Sequence, residues 1–315
     1  MTDKLVIVIP AYNEEEMLPV TIPAMTGILT DMIGKGKISA ESRVLFVNDG
    51  SRDKTWEIIE NTHRENELVT GINFSRNFGH QNAVLAGLEA AQDADMLVSI
   101  DADLQDDINA IEKMVDAYHD GYDVVYGVRN NRDSDTAFKR GTAMAFYRLM
   151  KALGTHTIPN HADFRLMSRR AVKTLLSYPE RNLFLRGMVP QVGYPSTNVY
   201  YTRLEREAGE SKYPLSKMLK FALDGITSYS TTPLKLIFGL GVLGVIVAFV
   251  LIVMALVRHF TGNTETGWSS LMISIWFVGS AQLISVAILG EYIGKIFTEV
   301  KRRPRFTVQN DLYHD

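Results

Sequence analysis

Short apolar runs alternate with amphipathic stretches through the first 130 residues of the chain. The apolar runs predict strands, and the stretches between them predict helices because their apolar residues recur every three or four positions. The predicted strands cover residues 5–9, 43–47, 68–74, 96–100 and 123–128, and the predicted helices cover residues 53–64, 81–91 and 107–119. This alternation predicts an α/β fold with a mostly parallel sheet covered by helices on both faces.

The pattern changes in the last third of the chain, where two long uncharged runs occur. They cover residues 236–257 and 268–289, each close to the roughly 20 residues that cross the hydrocarbon core of a bilayer. A buried core helix is the alternative for each run, although helices of soluble proteins rarely stay uncharged over this length. Two transmembrane helices are therefore predicted.

Basic residues flank the two apolar runs. Lys235 precedes the first run, and Lys295, Lys301, Arg302, Arg303 and Arg305 follow the second. Because basic residues concentrate on the cytoplasmic side of membrane proteins, both flanks are expected in the cytoplasm and the loop 258–267 on the far side. The first residues lack the features of a signal peptide, which agrees with a cytoplasmic N-terminus. The sequence thus predicts a multi-pass protein of the cytoplasmic membrane.

The predicted division of the chain has four parts. Residues 1–212 form a cytoplasmic α/β domain, residues 213–233 an amphipathic segment, residues 234–292 a transmembrane hairpin and residues 293–315 a basic cytoplasmic tail. In the amphipathic segment, lysines lie among apolar residues at helical spacing, as expected for a helix in the membrane interface. An ordinary packing helix fits the same pattern equally well.

Composition and missing motifs exclude several classes of protein. The formal net charge of −3 gives no overall basic field that would favour nucleic acid as a partner. The lack of cysteine excludes disulfides, zinc–thiolate sites, iron–sulfur clusters and cysteine nucleophiles. The sequence also lacks the glycine-rich signatures of dinucleotide and P-loop sites, the H-E-x-x-H motif and the G-x-S-x-G elbow.

Polar residues follow four of the predicted strands. They are Tyr12, Asn13 and Glu14 after the first strand, Asn48 and Asp49 after the second, Arg76 and Asn77 after the third, and Asp101 and Asp103 after the fourth. One such group would fit an ordinary turn. Because ligands bind outside the carboxyl ends of parallel strands, four converging groups predict a binding site at that edge.

Asp101 and Asp103 are candidate metal ligands. The same Asp-x-Asp spacing occurs at positions 93/95 and 133/135, but only the pair at 101/103 directly follows a predicted buried strand. Two close carboxylates repel each other unless a cation offsets their charge, so Mg²⁺ or Mn²⁺ is predicted between them and a bound diphosphate. The amide oxygen of Gln105 is a candidate additional ligand.

The motifs taken together resemble those of a known family. The segments VIVIPAYNEE, VNDGSRDKT, FSRNFGHQNAVLAGL, DADLQDD and ADFRLMSRR are similar to the family 2 glycosyltransferases, which have a GT-A fold. Within that family they resemble the polyprenyl-phosphate branch of dolichol-phosphate mannose synthases and bactoprenol glucosyltransferases. The resemblance covers residues 4–212 by motif and the predicted hairpin by architecture. Many relatives carry prolines where this chain has Asp107 and Ile108, which leaves the shape of that loop open.

The resemblance implies roles for individual residues. It implies Pro10, Tyr12, Glu14 and Asp49 for the nucleoside, Arg76 and Asn77 for the rest of the donor, and Asp101, Asp103 and Gln105 for the metal. It also implies that Asp163 lies near the acceptor, with Arg165 beside it. The expected catalytic residues are Asp163, Asp103 and Arg165.

Basic residues are candidates for binding an acceptor phosphate. Arg129 and Arg140 follow the last predicted strand, and Arg206 and Lys212 precede the amphipathic segment. Arginine pairs well with phosphate oxygens, although a solvated basic surface is the alternative for each pair. Their position between the predicted site and the membrane segment favours the phosphate of a lipid.

The expected function is the inverting transfer of one sugar from a nucleotide-diphosphate sugar to a polyprenyl phosphate at the cytoplasmic membrane face. UDP-glucose is the first expectation for the donor, followed by UDP-N-acetylglucosamine and GDP-mannose. The acceptor phosphate is already largely anionic because its second pKa is about 6, so Asp163 is left open between a base and an orienting group. A processive polysaccharide synthase and an inactive membrane scaffold are the alternatives, and a homo-oligomer is left open.

Overall fold

The computed structural model describes residues 2–130, 161–202, 231–261 and 267–315. These residues fall into two compact units. The first unit comprises residues 2–130, 161–202 and 303–315, and the second comprises residues 231–261 and 267–302. The chain therefore leaves the first unit, forms the second and returns to the first with its last residues.

The first unit is built on one eight-stranded sheet. The strands are β1 (Leu5–Ala11), β2 (Arg43–Asn48), β3 (Val69–Phe74), β4 (Met96–Ser99), β5 (Val124–Arg129), β6 (His161–Ser168), β7 (Ser196–Tyr201) and β8 (Val308–Asp311). Their order in the sheet is β7-β5-β6-β4-β1-β2-β3-β8. Only β6 and β8 run against the other strands, so the sheet is mostly parallel, as predicted.

The helices of this unit connect the strands. They are α1 (Leu18–Gly34), α2 (Thr55–Glu65), α3 (His80–Ala90), α4 (Ala110–His119), α5 (Arg169–Leu176) and α6 (Leu185–Met188), with a 3-10 turn at Val189–Val192. The five strands and three helices predicted from the sequence are confirmed, with ends that differ by at most three residues. The sequence patterns did not identify α1, α5, α6, β6, β7 and β8. Strands β6 to β8 carry polar or charged residues and lack an apolar run.

The core of the first unit surrounds β1. All seven residues of β1 are buried because parallel strands bond on both sides of it and helices cover both faces. Its side chains Leu5, Ile7 and Ile9 pack in a cluster with Phe46 of β2 and Phe164 of β6. Because β1 is central, its end at Ala11 lies next to the ends of β2 and β4.

The second unit consists of two long apolar helices, α7 (Thr232–Phe260) and α8 (Trp268–Lys301). Each is long and apolar enough to cross a membrane, with a mean hydropathy of 2.6 over Thr232–Leu251 and of 1.4 over Ser274–Lys301. Large apolar side chains such as Phe238, Phe277 and Leu283 are more than 70% exposed, as expected for helices that meet lipid. Both helices extend beyond the predicted spans, and residues 262–266 of the predicted loop lie outside the described residues.

The region predicted as a basic tail contains regular structure. Residues up to Lys301 continue α8, and Val308–Asp311 form β8, which pairs antiparallel with β3 at the edge of the sheet. The amphipathic segment predicted at residues 213–233 lies outside the described residues up to position 230.

The packing of α3 on the sheet makes Gly87 a test of the core. A Cβ at this position would lie 2.2 Å from Cγ1 of Val8 and 3.1 Å from Cγ2 of Val47, so G87A should destabilise the protein by about 1–3 kcal/mol. The control is G34A, at the last residue of α1, because no atom lies within 4 Å of a Cβ there. Thermal unfolding of the full-length protein in detergent should show a lower midpoint for G87A only. Equal midpoints would contradict this account of the α3 packing.

Candidate active site

A cavity of about 510 Å³ opens at the carboxyl ends of β1, β2 and β4. Because these strands are parallel neighbours, the residues that follow them meet at one edge of the sheet. Residues singled out from the sequence line this cavity: Pro10, Tyr12, Glu14, Asp49, Asn77, Asp101, Asp103 and Asp163. Gly79, His80 and Arg186 also line it.

Asp49 follows β2 and fixes a loop from the neighbouring strand. The residue is 3% exposed, and its two carboxylate oxygens accept hydrogen bonds from the backbone N–H groups of Phe78 (2.6 Å) and Gly79 (2.9 Å). Burial raises the pKa of Asp49, and the two N–H donors partly offset that rise. Asp49 therefore holds the loop 75–79 beside the cavity.

Gly50 allows this loop to approach closely. Its φ is +63°, and a Cβ would lie 2.2 Å from the carbonyl carbon of Arg76, so both the conformation and the contact require glycine. The guanidinium of Arg76 lies 3.9 Å from the centre of the Phe78 ring and donates a hydrogen bond to the carbonyl of Asn77. Arg76 lies outside the lining of this cavity, and its expected position at the donor stays a prediction.

Asp101 follows β4 and lines the cavity among several other acidic groups. Burial raises the pKa of Asp101 to about 6, the nearby His80 opposes this rise, and the carboxylates of Asp163, Asp106 and Asp103 add to it. Nε2 of His80 lies 3.4 Å from Asp101 Oδ1 and 3.8 Å from Asp163 Oδ2. The end of β4 is therefore a place of concentrated negative charge.

Asp163 is in β6 and is held by two arginines. Arg165 donates to its Oδ1 at 2.6 Å, and Arg186 donates to Oδ1 at 3.2 Å and to Oδ2 at 3.1 Å. Although burial alone would raise the pKa of Asp163, Arg165 and Arg186 hold it below its usual range. In addition, Ser99 Oγ donates to the Asp163 carbonyl at 2.8 Å, which fixes the backbone beside β4.

The two arginines occupy different places. Arg165 is 2% exposed, does not line the cavity and also donates to the Leu185 carbonyl. It therefore contacts Asp163 from inside the protein, and the catalytic role expected for it from the sequence stays a prediction. Arg186, whose side chain is 38% exposed, lies at the cavity wall. It extends from α6, whose first residue Leu185 donates its N–H to Gln81 Oε1 at 2.8 Å.

The sequence analysis missed Arg186 and His80. His80 lies within the motif FSRNFGHQNAVLAGL, so the segment was recognised although the side chain was not singled out. Arg186 belongs to no motif and lies 23 positions from Asp163 along the chain. Only the fold brings Arg186 and Asp163 together.

Gln105 and Arg129, two further candidates from the sequence, do not line the cavity. Gln105 is 5% exposed, and its backbone N–H lies 3.3 Å from Asp103 Oδ1. Arg129 donates to Oδ1 of the buried Asp106 at 3.0 and 2.8 Å, and the hydroxyl of Tyr201 donates to the same oxygen. Arg129 is therefore engaged with a buried carboxylate. The other acceptor candidates, Arg140, Arg206 and Lys212, lie outside the described residues.

The donor atoms in the cavity suit a hard divalent cation that also binds a ligand. Among the described residues, no group of three His, Cys, Asp or Glu side chains has the geometry to hold a metal by itself. Asp101 and Asp103 both line the cavity, and Mg²⁺ is commonly bound by one or two carboxylates together with phosphate oxygens and water. The accumulated negative charge that raises the pKa of Asp101 also favours a cation. These residues therefore fit the predicted metal.

A second cavity, of about 540 Å³, lies near Asp95, Asp123 and the start of α5. Its charged groups pair with one another, since Arg169 contacts Asp95 at 3.0 Å and Arg170 forms hydrogen bonds with Asp123. Such paired charges are typical of a structural ion-pair cluster. The cavity at the strand ends, where carboxylates outnumber cations, is the candidate active site.

Comparison with known proteins identifies relatives over nearly the whole chain. The family model described as Glycosyl transferase family 2 matches residues 6–176. A protein from Bacillus subtilis (strain 168), "Uncharacterized glycosyltransferase YkoT", is 49% identical over 312 residues, which cover 99% of this chain and 93% of that protein. The "Bactoprenol glucosyl transferase" of Shigella phage SfV is 39% identical over 310 residues, covering 98% of this chain and 99% of that protein. The "Prophage bactoprenol glucosyl transferase homolog" of Escherichia coli (strain K12) is 38% identical over 308 residues, covering 97% and 98%.

The contact between Arg186 and Asp163 gives a prediction for activity. R186A removes two charge-assisted hydrogen bonds from Asp163, so kcat/KM should fall by roughly tenfold or more. R186K, which keeps the charge but loses the paired geometry, should retain part of the activity. Steady-state kinetics of the full-length protein would measure both effects.

The matched control is R170A, which breaks the ion pair with Asp123 in the second cavity. It should leave kcat/KM of the folded protein unchanged, even if the midpoint of thermal unfolding decreases. Wild-type kinetics for R186A, or an equal loss in R170A, would contradict the role assigned to Arg186.

Proposed function

The chain belongs to glycosyl transferase family 2, and on that premise we propose that it transfers one sugar from a nucleotide-diphosphate sugar to a polyprenyl phosphate. The observation that carries this proposal is the meeting of Asp101, Asp103, Asp163 and Arg186 at one cavity at the strand ends. Asp101 and Asp103 give the cavity a negatively charged side, which suits a metal ion bound to a diphosphate. Arg186 contributes a positive charge, which suits a reacting anion. Membership of the family accounts for the motifs on the donor side, and the identity of the acceptor is what the proposal adds.

On the donor side, we assign the nucleoside to the residues that follow β1 and β2. Pro10, Tyr12 and Glu14 line one side of the cavity, and Asp49 lies beneath the neighbouring loop. Asp101 and Asp103 would hold the metal, with Asn77 facing the donor from the other side. A bound Mg²⁺ or Mn²⁺ would supply positive charge against the diphosphate as negative charge develops on it.

The proposed reaction is an in-line displacement with inversion. An oxygen of the acceptor phosphate forms a bond to the anomeric carbon while the bond from that carbon to the nucleoside diphosphate breaks. The acceptor needs no strong base because its second pKa is about 6. A carboxylate with a lowered pKa is a weak base, so Asp163 is better suited to orient the acceptor than to remove a proton. Positioning and electrostatics would then supply most of the rate enhancement.

The second unit supports a lipid acceptor and a membrane location. Both long helices are apolar enough to cross a bilayer, and β8 after the second helix belongs to the same sheet as the site. The sheet combines strands that precede α7 with one strand that follows α8, so both parts of the chain lie in the same compartment. This supports a hairpin with both flanks on the same side of the membrane. We propose the cytoplasmic side from the basic residues Lys235, Lys301 and Arg302. Arg140, Arg206 and Lys212 are retained as proposed ligands of the acceptor phosphate.

The proposed donor is UDP-glucose, with UDP-N-acetylglucosamine and GDP-mannose as the next candidates. Two relatives that match this chain over almost their full length are named bactoprenol glucosyl transferases or homologues of them. Their names concern those proteins, and they guide the choice of donor for this one.

The proposed function can be tested by product analysis. Membranes that contain the full-length protein are incubated with polyprenyl phosphate and each labelled donor in turn. We expect one labelled lipid-linked monosaccharide, formed fastest from UDP-glucose. A D163A variant is the control for background activity. A labelled polymer would indicate a processive synthase, and absence of any product with all three donors would contradict the proposal.

The metal assignment gives a separate prediction. D103N should abolish transfer and weaken donor binding because it removes a negative ligand from a hard cation, and EDTA should abolish wild-type activity. D95N is a matched control, since it changes the other described Asp-x-Asp pair, where Asp95 contacts Arg169 outside the candidate active site. Activity and donor binding of D95N should stay near wild type. Full activity in excess EDTA would refute the metal assignment.

A further inference from the structure

We propose that the C-terminal segment 303–315, here called the tail, positions the loops on the donor side of the candidate active site. This segment directly follows α8 in the chain and belongs to the first compact unit. The tail pairs directly with β3. Two separate rows of contacts, one of aromatic rings and one of hydrogen bonds, connect it to the loops that follow β1, β2 and β3. The inference goes beyond the proposed function, since it concerns which residues hold the site together rather than which substrates enter it.

The backbone of residues 307–312 of the tail is joined to β3 and to the residue that follows it. Asp311 lies opposite Ile72, Asn310 opposite Asn73 and Val308 opposite Phe74, with an irregularity between the last two pairs. The pairing extends beyond β8 at both ends, where Ser75 N–H donates to Thr307 O at 3.1 Å and Leu312 N–H donates to Gly71 O at 2.8 Å. The tail thus reaches the point where β3 gives way to the loop 75–79.

The first route is a row of aromatic rings. The ring of Phe306 stacks on that of Phe74, with centres 5.1 Å apart and planes inclined by 10°. Phe74 in turn contacts Phe78 edge to face, with centres 5.6 Å apart. Phe78 and Gly79 supply the two backbone N–H groups that bind Asp49. Aromatic pairs of this kind are stabilising beyond the area they bury, so Phe306 should favour the observed position of Phe78.

The second route is a row of side-chain hydrogen bonds. Asn73 Nδ2 donates to Asn310 Oδ1 at 3.1 Å, and Asn48 Nδ2 donates to Asn73 Oδ1 at 2.7 Å. Ser51 Oγ donates to Asn48 Oδ1, and it accepts the backbone N–H of Asn13 at 2.9 Å. This row connects the tail to Asn13, which lies between the cavity residues Tyr12 and Glu14. The Asn48–Asn73 bond is buried, its neighbours in the row are partly buried and the bond to Asn13 is exposed, so the restraint on Asn13 comes through its connected partners.

Arg305 ties the tail to a further segment. Its guanidinium donates to the carbonyls of Tyr178 (2.6 Å) and Glu180 (2.9 Å), which precede the helix that carries Arg186. The sequence analysis assigned Arg305 to the basic flank of a membrane span. In the structure its charge faces backbone carbonyls of the first unit.

If the tail served only as an edge strand, it would stabilise the sheet without a particular effect on the end of β3 that lies near the site. The two aromatic residues of the tail allow a test of this distinction. Phe306 contacts the end of β3 near the site, whereas Tyr313 donates its hydroxyl to Asp93 Oδ1, just before β4. Replacing each by alanine removes an aromatic ring from the same short segment, so Y313A is a matched control for F306A.

The experiment measures amide hydrogen exchange in the full-length protein in detergent, without substrates. F306A should increase exchange severalfold in peptides that cover residues 75–80, and F306Y should restore the wild-type rate. Y313A should leave exchange of these peptides unchanged. N310A, which interrupts the hydrogen-bonded row, should increase exchange in peptides that cover residues 12–14 and serves as a second test if F306A folds poorly.

Steady-state kinetics provide the functional measurement, which rests on the proposed function, whereas the exchange measurement does not. F306A should raise the KM for the nucleotide sugar about threefold to tenfold and leave the KM for the lipid unchanged. Unchanged exchange at residues 75–80 in F306A, or an equal increase in Y313A, would overturn the proposal. If exchange responds as expected but no donor is used, the positioning role stands and the proposed function fails.

Discussion

Repulsion between carboxylates at the end of β4 is the constraint on which the candidate active site depends. Asp101, Asp103 and Asp163 line one cavity, and Asp106 is buried close by. Carboxylates this close to one another cannot all be charged unless cations accompany them. The protein supplies such cations unevenly. Arg165 and Arg186 bind Asp163 and Arg129 binds Asp106, whereas in the part of the chain that the structure describes Asp101 pairs only with His80.

This uneven supply separates the pKa values of the two facing aspartates. Burial raises the pKa of Asp101 to about 6, and the two arginines lower that of Asp163 despite its burial. Groups whose surroundings drive their pKa values apart commonly have different functions in one site. Asp163 is held in place by Arg165 and Arg186, which favour its charged form. The Asp101 side still favours a cation, which suits a metal that arrives with the diphosphate of the donor.

The topology of the sheet creates this pair of environments. Strand β6 lies antiparallel between β4 and β5, with Arg165 opposite Ser99, so Asp163 comes to the end of β4 although 62 positions separate it from Asp101. At the other edge, β8 brings the end of the chain back to β3, next to the loop that binds Asp49. The antiparallel strands thus bring in Asp163 and the tail, while the loops after the parallel strands carry Asp101 and Asp103, the candidate metal ligands, and most of the other residues that line the cavity.

The sequence by itself determined the features that depend on local pattern. The alternation of apolar runs predicted five strands and three helices, the strand ends predicted the acidic rim, and two uncharged runs predicted the long helices α7 and α8. The motifs identified the family. These predictions succeeded because burial imposes a period of two or of 3.6 on residues that are close in the chain.

The tertiary structure decided everything that depends on a distant partner. Strand β6 carries Asp163 and Arg165 in its interior, and such residues look unfavourable for a buried strand until their pairing with each other and with Arg186 is known. In the same way, Arg129 is a surface cation by sequence and the partner of buried Asp106 in the fold. The polar residues of β8 gave no local sign of a strand, because the partner it pairs with is β3, more than 230 positions earlier in the chain. A charge or an edge strand takes its role from the group that compensates it, and the linear sequence does not show which group that is.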